Sequence, residues 1–98
     1  YSAFFETRLE SLLKNLGVRT LLCAGFVANC CLFFSLGDAL FRGFDPILIR
    51  DCTLAAEMPG EVEGFPETRR TILWIESILG PSVTAEAVAR AMHALGKA

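Results

Sequence analysis

The stretch "VRTLLCAGFVANCCLFFSLGDALFRGFDPILIRD", residues 18–51, determines how this chain folds. It begins with a compact apolar run over residues 18–24, which ends at Gly25 and predicts a buried β-strand. A long apolar run over residues 29–41 predicts a helix that is covered on nearly every side. A second short apolar run, residues 46–49, predicts another buried strand that ends at Asp51. Strand, helix and strand in this order make one right-handed crossover unit with parallel strands, so the predicted fold class is α/β.

The composition indicates a globular domain. The chain has 98 residues, of which 53% are hydrophobic, and a formal net charge of −2. No apolar run reaches the roughly 18 residues of a membrane span, and the residues after Tyr1 do not form a signal or transit peptide. Lysine and arginine are not clustered, so the basic surface that nucleic acid or an anionic membrane would need is absent from the sequence. We expect a soluble protein with neither of those partners.

Three further helices are predicted around the central unit. Thr7 and Glu10 match a capping box, which predicts a short amphipathic helix over residues 9–16. Pro66 begins another helix, and Thr84 is placed to cap a final one. Two strands cannot by themselves make a parallel sheet that is covered on both faces. We therefore expect that the chain is part of a larger protein or is completed by a partner.

The four cysteines do not have the spacing of metal ligands, because they form no CxxC pair and the sequence contains one histidine. Cys30 and Cys31 are neighbours, and adjacent cysteines rarely reach disulfide geometry without strain. Reduced thiols fit a cytoplasmic protein. The sequence therefore predicts no metal site in this chain and a cytoplasmic location.

The cysteine pair has two interpretations on residues alone. Residues 25–31 and 51–53 both follow predicted strands, and ligands of open parallel sheets bind outside the carboxyl ends of the strands. A thiol in the first turn of a helix also lies near unsatisfied backbone N–H groups, which favour the nucleophilic thiolate. On the other hand, cysteine is among the most buried residue types, and a cysteine at such a turn is often a small core residue. Both interpretations stay open at this point.

Three stretches in order and spacing indicate a family. They are "YSAFFETRLESLL", "GVRTLLCAGFVANCCL" and "GDALFRGFDPILIRDCTLA", and they resemble the carboxyl-terminal half of the isochorismatase-like cysteine hydrolases over about residues 1–55. The positions that match the family motifs are Ser2-Ala3-Phe4, Thr7, Leu9, Leu13, Gly25, Asn29, Cys31, Asp38-Ala39, Gly43 and Asp51. The resemblance implies a three-layer, flavodoxin-like parallel sheet that is incomplete in this chain, with residues 1–98 forming a single domain. Residues 57–76 resemble, less closely, the ureidoacrylate hydrolases of the family.

The resemblance also implies a reaction. Cys31, and not Cys30, would attack the carbonyl of a small amide, ureide or carbamoyl compound and form a thioester acyl-enzyme that water hydrolyses. The family carries a cis peptide bond that would fall between Phe26 and Val27, and the backbone N–H groups of Val27 and Cys31 would form the oxyanion hole. The resemblance implies no dissociable organic cofactor, and we expect a homo-oligomer.

The sequence departs from the family pattern at two points. Ala28 stands where a threonine is common, which removes a side-chain hydrogen bond but not the backbone donors. The aspartate general base of the family and its lysine partner would precede Tyr1, so we expect the 98 residues to be inactive alone. Asp38 and Asp51 match structural positions of the family motifs and are not expected to replace the base.

The other notable side chains are expected to have packing roles. The expectations are core for Cys23, packing for Cys30, pocket lining for Cys52, surface or packing for His93, core or interface for Trp74 and the Phe33-Phe34 pair, and a lid for residues 58–64.

Two alternative functions compete with hydrolysis. One is a non-catalytic half-domain that assembles into an oligomer and buries the apolar helix of residues 29–41. The other is a thiol redox module that uses Cys30 and Cys31, although the geometry of adjacent cysteines disfavours it.

Overall fold

The computed structural model describes residues 1–96, which form an α/β arrangement of four helices and three strands. The helices are α1 (Leu9–Asn15), α2 (Phe33–Phe41), α3 (Pro66–Ile78) and α4 (Ala85–Gly96). The strands are β1 (Thr20–Gly25), β2 (Asp45–Thr53) and β3 (Ser82–Val83). A wide turn, Ala28–Leu32, called the cysteine turn below, joins β1 to α2. No helix within residues 1–96 is long and apolar enough to cross a membrane.

The three strands form one parallel sheet in the order β1-β2-β3. β1 pairs with β2 from Thr20 opposite Asp45 onward, and after an irregularity the pairing ends with Gly25 opposite Thr53. β3 pairs with β2 over two residues. The predicted crossover from β1 through α2 to β2 is therefore confirmed. Because β2 occupies the middle, the carboxyl ends of β1 and β2 lie side by side, where the sequence places Gly25 and residues 51–53.

The core lies between the sheet and the two helices α2 and α3. Leu36 of α2, Leu48 of β2 and Ile75 of α3 are each only 1% exposed and belong to one cluster. A second cluster contains Phe4 and Phe44, whose ring centroids are 5.7 Å apart. This second cluster holds the amino-terminal segment against the start of β2, so residues 1–5 are attached to the same domain as the cysteines.

Three boundaries differ from the predictions. β3 was not predicted, because two residues are too short for a period of two to be visible. β2 extends over residues 45–53 rather than ending at Asp51, since residues 50–52 carry exposed side chains and lack the apolar signal. α2 begins at Phe33 rather than at Asn29, because the backbone of Cys30 has φ −140° and ψ −105°, which no α-helix contains.

The reciprocal capping box predicted at α1 does not form, although Oγ1 of Thr7 accepts the N–H of Leu9 at 3.3 Å. The hydroxyl of Thr7 donates to the carbonyl oxygen of Ala3 at 2.6 Å, and the Glu10 carboxylate does not reach back to the Thr7 N–H. Glu10 instead pairs with Lys14 at 2.8 Å and with Arg42, beyond the end of α2, at 2.6 Å. Both oxygens of the Glu10 carboxylate are therefore engaged by cationic side chains rather than by a backbone N–H. The cap of α4 is confirmed, since the N–H of Ala87 donates to Oγ1 of Thr84 at 3.1 Å.

A core position for two aromatic residues is also wrong. Trp74 is 58% exposed and Phe34 is 52% exposed, whereas Phe33 packs against the core cluster. Phe34 and Trp74 point away from the cluster because their neighbours Phe33 and Ile75 occupy the buried positions of their helices. An interface role for these two residues stays a prediction.

Candidate functional site

The chain reverses sharply where β1 ends. Gly25 has φ 113°, in the left-handed region that favours glycine, and the peptide bond between Phe26 and Val27 is cis. The carbonyl oxygen of Val27 then accepts the N–H groups of Cys30 at 3.0 Å and of Leu32 at 3.1 Å, which closes the cysteine turn. The cis bond lies at the position that the family resemblance implies.

The thiol of Cys31 lies against the backbone of this turn. Its Sγ atom accepts a hydrogen bond from the N–H of Val27 at 3.2 Å, and it lies 3.5 Å from the carbonyl oxygen of Phe26. Its other hydrogen-bonding contact is the carbonyl oxygen of Val27 at 3.9 Å. Within residues 1–96, no carboxylate, imidazole or ammonium group is hydrogen-bonded to this thiol. The described part of the chain therefore supplies a thiol and a backbone donor but no general base at that point.

Cys31 opens onto a cleft of about 460 Å³. The amino-terminal segment forms one wall of it, because the N–H of Ala3 donates to Oγ of Ser35 at 3.0 Å and the hydroxyl of Ser2 donates to the Asp38 carboxylate. The residues that line the cleft are Tyr1, Ser2, Ala3, Phe26, Cys31, Leu32 and Ser35. A second cleft of about 470 Å³, lined largely by aromatic side chains on the other side of Ser2, contains no nucleophilic thiol. The candidate site is therefore the cleft at Cys31.

A connecting segment, residues 54–57, supports the opposite side of the cysteine turn. The N–H of Leu54 donates to Gly25 O at 3.0 Å, and the N–H of Ala28 donates to Leu54 O at 2.8 Å. The Asn29 side chain then brackets Ala56, since its Oδ1 accepts the Ala56 N–H at 3.0 Å and its Nδ2 donates to Ala56 O at 3.3 Å. Asn29 matched a family motif in the sequence, but nothing in the spacing indicated Ala56 as its partner.

Glu57 ties the connecting segment to the amino terminus of α3. Its carboxylate accepts the N–H groups of Glu67 at 2.8 Å and Thr68 at 2.9 Å, and the Thr68 hydroxyl at 2.6 Å. Desolvation raises the pKa of this carboxyl, but these hydrogen bonds and the charge of Arg69 together hold the pKa below its ordinary value. No local sequence pattern predicts this contact. The available signal was Phe65, which precedes the helix and cannot cap it with its side chain.

The other three cysteines lie outside the cleft of Cys31. Cys23 packs against the core cluster, as predicted, and burial raises the pKa of its thiol. Cys30 is half-buried. Cys52 is exposed and lines a separate, smaller cleft, which Phe26 also lines. All four cysteines are free thiols.

The two aspartates of the motifs have structural contacts. Oδ1 of Asp51 accepts the N–H of Ala85 at 2.8 Å, which caps α4. Asp38 accepts the Ser2 hydroxyl and lies 4.0 Å from Nε of Arg42. Over the described range of the chain, no group of three or more histidine, cysteine, aspartate or glutamate side chains is arranged to hold a metal ion. His93 is exposed on α4.

Comparison with known proteins identifies several relatives. The family profile described as "Isochorismatase domain" matches residues 1–75. The ureidoacrylate amidohydrolase RutB of Methylorubrum extorquens is 33% identical over 79 residues, which are 80% of this chain and 32% of that protein. A cysteine hydrolase from Pseudomonas syringae pv. phaseolicola superposes with a TM-score of 0.85 and 26% identity over 96% of this chain and 46% of its own. The N-carbamoylsarcosine amidase of Thermoplasma acidophilum superposes with a TM-score of 0.66 and 26% identity, over 86% and 43% respectively.

These relatives also define how much of a domain is in view. The chain spans about a third of the curated relative's length and just under half of the solved structures. Its sheet of three parallel strands therefore corresponds to a part of their domain, and the predicted flavodoxin-like α/β fold is confirmed. With the profile covering three-quarters of the residues and the fold shared over nearly the whole chain, this protein belongs to the isochorismatase domain family.

Proposed function

We propose that this chain contributes the nucleophile to a hydrolase of small amides, ureides or carbamoyl compounds, and that Cys31 is that nucleophile. The observation that carries the proposal is the 3.2 Å contact between the Val27 N–H and the Cys31 Sγ at the carboxyl end of β1, beside an open cleft. Support comes from relatives that are named as a ureidoacrylate amidohydrolase, an N-carbamoylsarcosine amidase and a cysteine hydrolase.

The proposed reaction has two steps. The Cys31 thiolate attacks the carbonyl carbon, a carbon–sulfur bond forms, and the carbonyl oxygen acquires negative charge. The backbone N–H groups of Val27 and Cys31 would donate to that oxygen, and one such donor contributes about 3 kcal/mol to transition-state stabilisation. The nitrogen leaving group departs with a proton, and a thioester is left. Water then attacks the thioester, which releases the acid and restores the thiol.

Proton transfer in both steps requires a base from outside residues 1–96, because the hydrogen-bonding contacts of the Cys31 thiol in the described chain are all to backbone atoms. The family resemblance implies an aspartate assisted by a lysine. β1 pairs only with β2 among the described strands, and an unpaired edge of a parallel sheet accepts a further strand. We propose that a strand on that edge places the base beside Cys31, and that the 98 residues without it do not turn over substrate.

A second candidate function, assembly without catalysis, is favoured by the exposed apolar surface. Phe41 is 83% exposed, Phe5 66% and Trp74 58%, and side chains of this size are seldom left uncovered in such number. Self-association into a homo-oligomer would cover part of this surface. This candidate differs from hydrolysis in requiring no reactivity of Cys31.

The test compares Cys31→Ala with Cys30→Ala in the full-length protein. Both are assayed for ammonia release from a ureide and from an N-carbamoyl amino acid. We expect Cys31→Ala to lose activity by at least about a thousandfold, as loss of a nucleophile does elsewhere, and Cys30→Ala to stay within about threefold of the parent. An acyl adduct on the Cys31 peptide, seen by mass spectrometry after rapid acid quench, would identify the thioester.

Other results would direct the assignment elsewhere. Equal loss of activity from both substitutions would remove Cys31 as the specific nucleophile. Concentration-dependent association, measured by sedimentation, with no hydrolysis and no adduct would favour the assembly function. A loss of two hydrogens from the Cys30–Cys31 peptide on mild oxidation would favour the redox alternative.

A further inference from the structure

We propose that Asn29 is a positioning residue, which holds the cysteine turn against the connecting segment and thereby sets the reactivity of Cys31. This inference rests on the proposed function in one respect, the role of Cys31 as the nucleophile. It goes beyond that function in assigning a task to a side chain that touches neither the thiol nor the cleft.

Both backbone and side-chain hydrogen bonds join the cysteine turn to the connecting segment. Backbone bonds join Leu54 to Gly25 and Ala28 to Leu54, at 3.0 and 2.8 Å, and continue the ladder of the sheet past the ends of its strands. The backbone then curls into the cysteine turn and can no longer pair. At that point the Asn29 amide replaces it, with one accepted and one donated bond to Ala56 at 3.0 and 3.3 Å. A primary amide carries its acceptor and its donor on two different atoms, whereas a hydroxyl has both on one atom and a carboxylate has acceptors only.

The connecting segment is itself anchored to α3. The N–H of Ala55 donates to Oγ1 of Thr68 at 3.0 Å, and Thr68 is 6% exposed. Glu57 holds the first turn of α3 through three hydrogen bonds. Ala56 therefore belongs to a segment fixed by a helix and by β2, so the Asn29 side chain ties the turn to a rigid support rather than to a free loop.

Asn29 lies in sequence between the Val27 N–H and the Cys31 thiol, the two groups that meet at the site. It follows Val27, whose N–H is the donor, by two residues, and it precedes Cys31, whose Sγ is the acceptor, by two. The non-helical backbone of Cys30 lies in between and is held by a bond to Val27 O. Release of Asn29 would let both halves of the 3.2 Å contact move. Since Asn29 is exposed, burial does not hold it, and its two bonds to Ala56 carry this task.

The experiment measures thiol alkylation, which needs no substrate. The full chain is treated with iodoacetamide at neutral pH, and the modified fraction of each cysteine peptide is followed by mass spectrometry. Exposed Cys52 is the internal standard. We expect Asn29→Ala to lower the rate at Cys31 about fivefold relative to the rate at Cys52, the effect of losing about one hydrogen bond's worth of positioning. The matched control is Asn15→Ala, at the exposed end of α1, which should leave the ratio unchanged.

If circular dichroism shows that Asn29→Ala is unfolded, Asn29→Asp tests the positioning role instead. It keeps the acceptor for the Ala56 N–H and loses the donor to Ala56 O, so we expect a smaller decrease in the same ratio. The measurement is made at about 0.5 M salt, where the field of the new carboxylate is screened. An unchanged ratio in the folded variant, even with a lower unfolding temperature, would overturn the inference, because Asn29 would then be a structural clamp only.

The outcome is separable from that of the proposed function. If no amide is hydrolysed by the full-length protein but the Cys31 ratio falls in Asn29→Ala, the positioning role stands and the hydrolase proposal fails. If hydrolysis depends on Cys31 while the ratio is insensitive to Asn29, the reverse holds.

Discussion

The backbone N–H of Val27 points at the Sγ atom of Cys31 across 3.2 Å, so the donor and the thiol that the proposed reaction needs are already in contact. They are four residues apart, and the wide turn between them is closed by the Val27 carbonyl. No other cysteine of the described chain accepts a backbone N–H in this way. The environment of the Cys31 thiol therefore differs from those of the other three, and thiol alkylation can distinguish it.

Iodoacetamide should modify the cysteines in a defined order. We expect Cys52 and Cys31 to react well before Cys23, because burial both blocks access to Cys23 and raises the pKa of its thiol, which lowers the thiolate fraction. Peptide mass spectrometry over a time course at neutral pH would give the order. In denaturant the three rates should converge. Modification of Cys23 in the native protein as fast as Cys52 would contradict its placement in the core.

Glu57→Gln should weaken the protein in a pH-dependent way. The pKa of this carboxyl is below its ordinary value of 4.5, so its contribution to stability is fully present above that pH and is lost as the pH falls through the lowered pKa. We expect the variant to be less stable than the parent at pH 7 and the difference to shrink on acidification, as measured by urea denaturation. Glu63→Gln, in the exposed loop, is the control. A difference that grows toward acid pH would be the wrong sign.

Gly80→Ala should destabilise the fold. A methyl group at this position would overlap the carbonyl oxygen of Pro46, and that oxygen belongs to the β2 backbone, which cannot move away freely. We expect a loss of about 1–3 kcal/mol in the free energy of unfolding. Gly37→Ala is a matched control, because nothing lies within 4 Å of a methyl group there and alanine favours the helix by about 0.5–1 kcal/mol. Equal effects at both glycines would show that the contact with Pro46 does not form.

Leu48→Ala should be the more damaging of two identical changes. Leu48 is 1% exposed at the centre of the core cluster, and truncation of such a leucine costs about 2–5 kcal/mol because a cavity remains. Leu73→Ala removes the same atoms from a side chain that is 63% exposed on α3. We expect a large fall in the unfolding midpoint for Leu48→Ala and a small change for Leu73→Ala. If the Leu73 variant lost as much, this face of α3 would be buried in an assembly.

The predictability of the fold differed among the elements. β1, α2 and β2 were recognisable because each contains a mostly apolar run that ends near a glycine or a charged residue. β3 escaped notice because it pairs over two residues and one of them is Ser82. The capping box failed for a related reason: Thr7 and Glu10 have the local pattern, but Arg42 is a stronger partner for Glu10 and lies 32 residues away in sequence.

The candidate site divides in the same way. The location of the cysteine pair and the turn at Gly25 could be predicted from order and spacing, since a strand followed by glycine and a helix places the intervening residues at the sheet edge. The choice of Cys31 over Cys30 came from the family resemblance. The partners of Asn29 and Glu57 could not, because both contacts join positions that only the crossover and the return of α3 bring together. The local periodicity of a sequence does not indicate which carbonyl group a side-chain amide will contact.

Sequence alone thus determined the α/β class, the parallel crossover and the cysteine at the end of β1, because these follow from hydrophobic patterning and residue type within short stretches. Tertiary structure alone decided that Val27 donates to the Cys31 thiol, that the connecting segment supports the turn, and that Asp38 and Asp51 hold Ser2 and α4. The physical reason is that a hydrogen bond forms only when its donor and acceptor are placed to within a few tenths of an ångström. The groups that meet here are far apart along the chain.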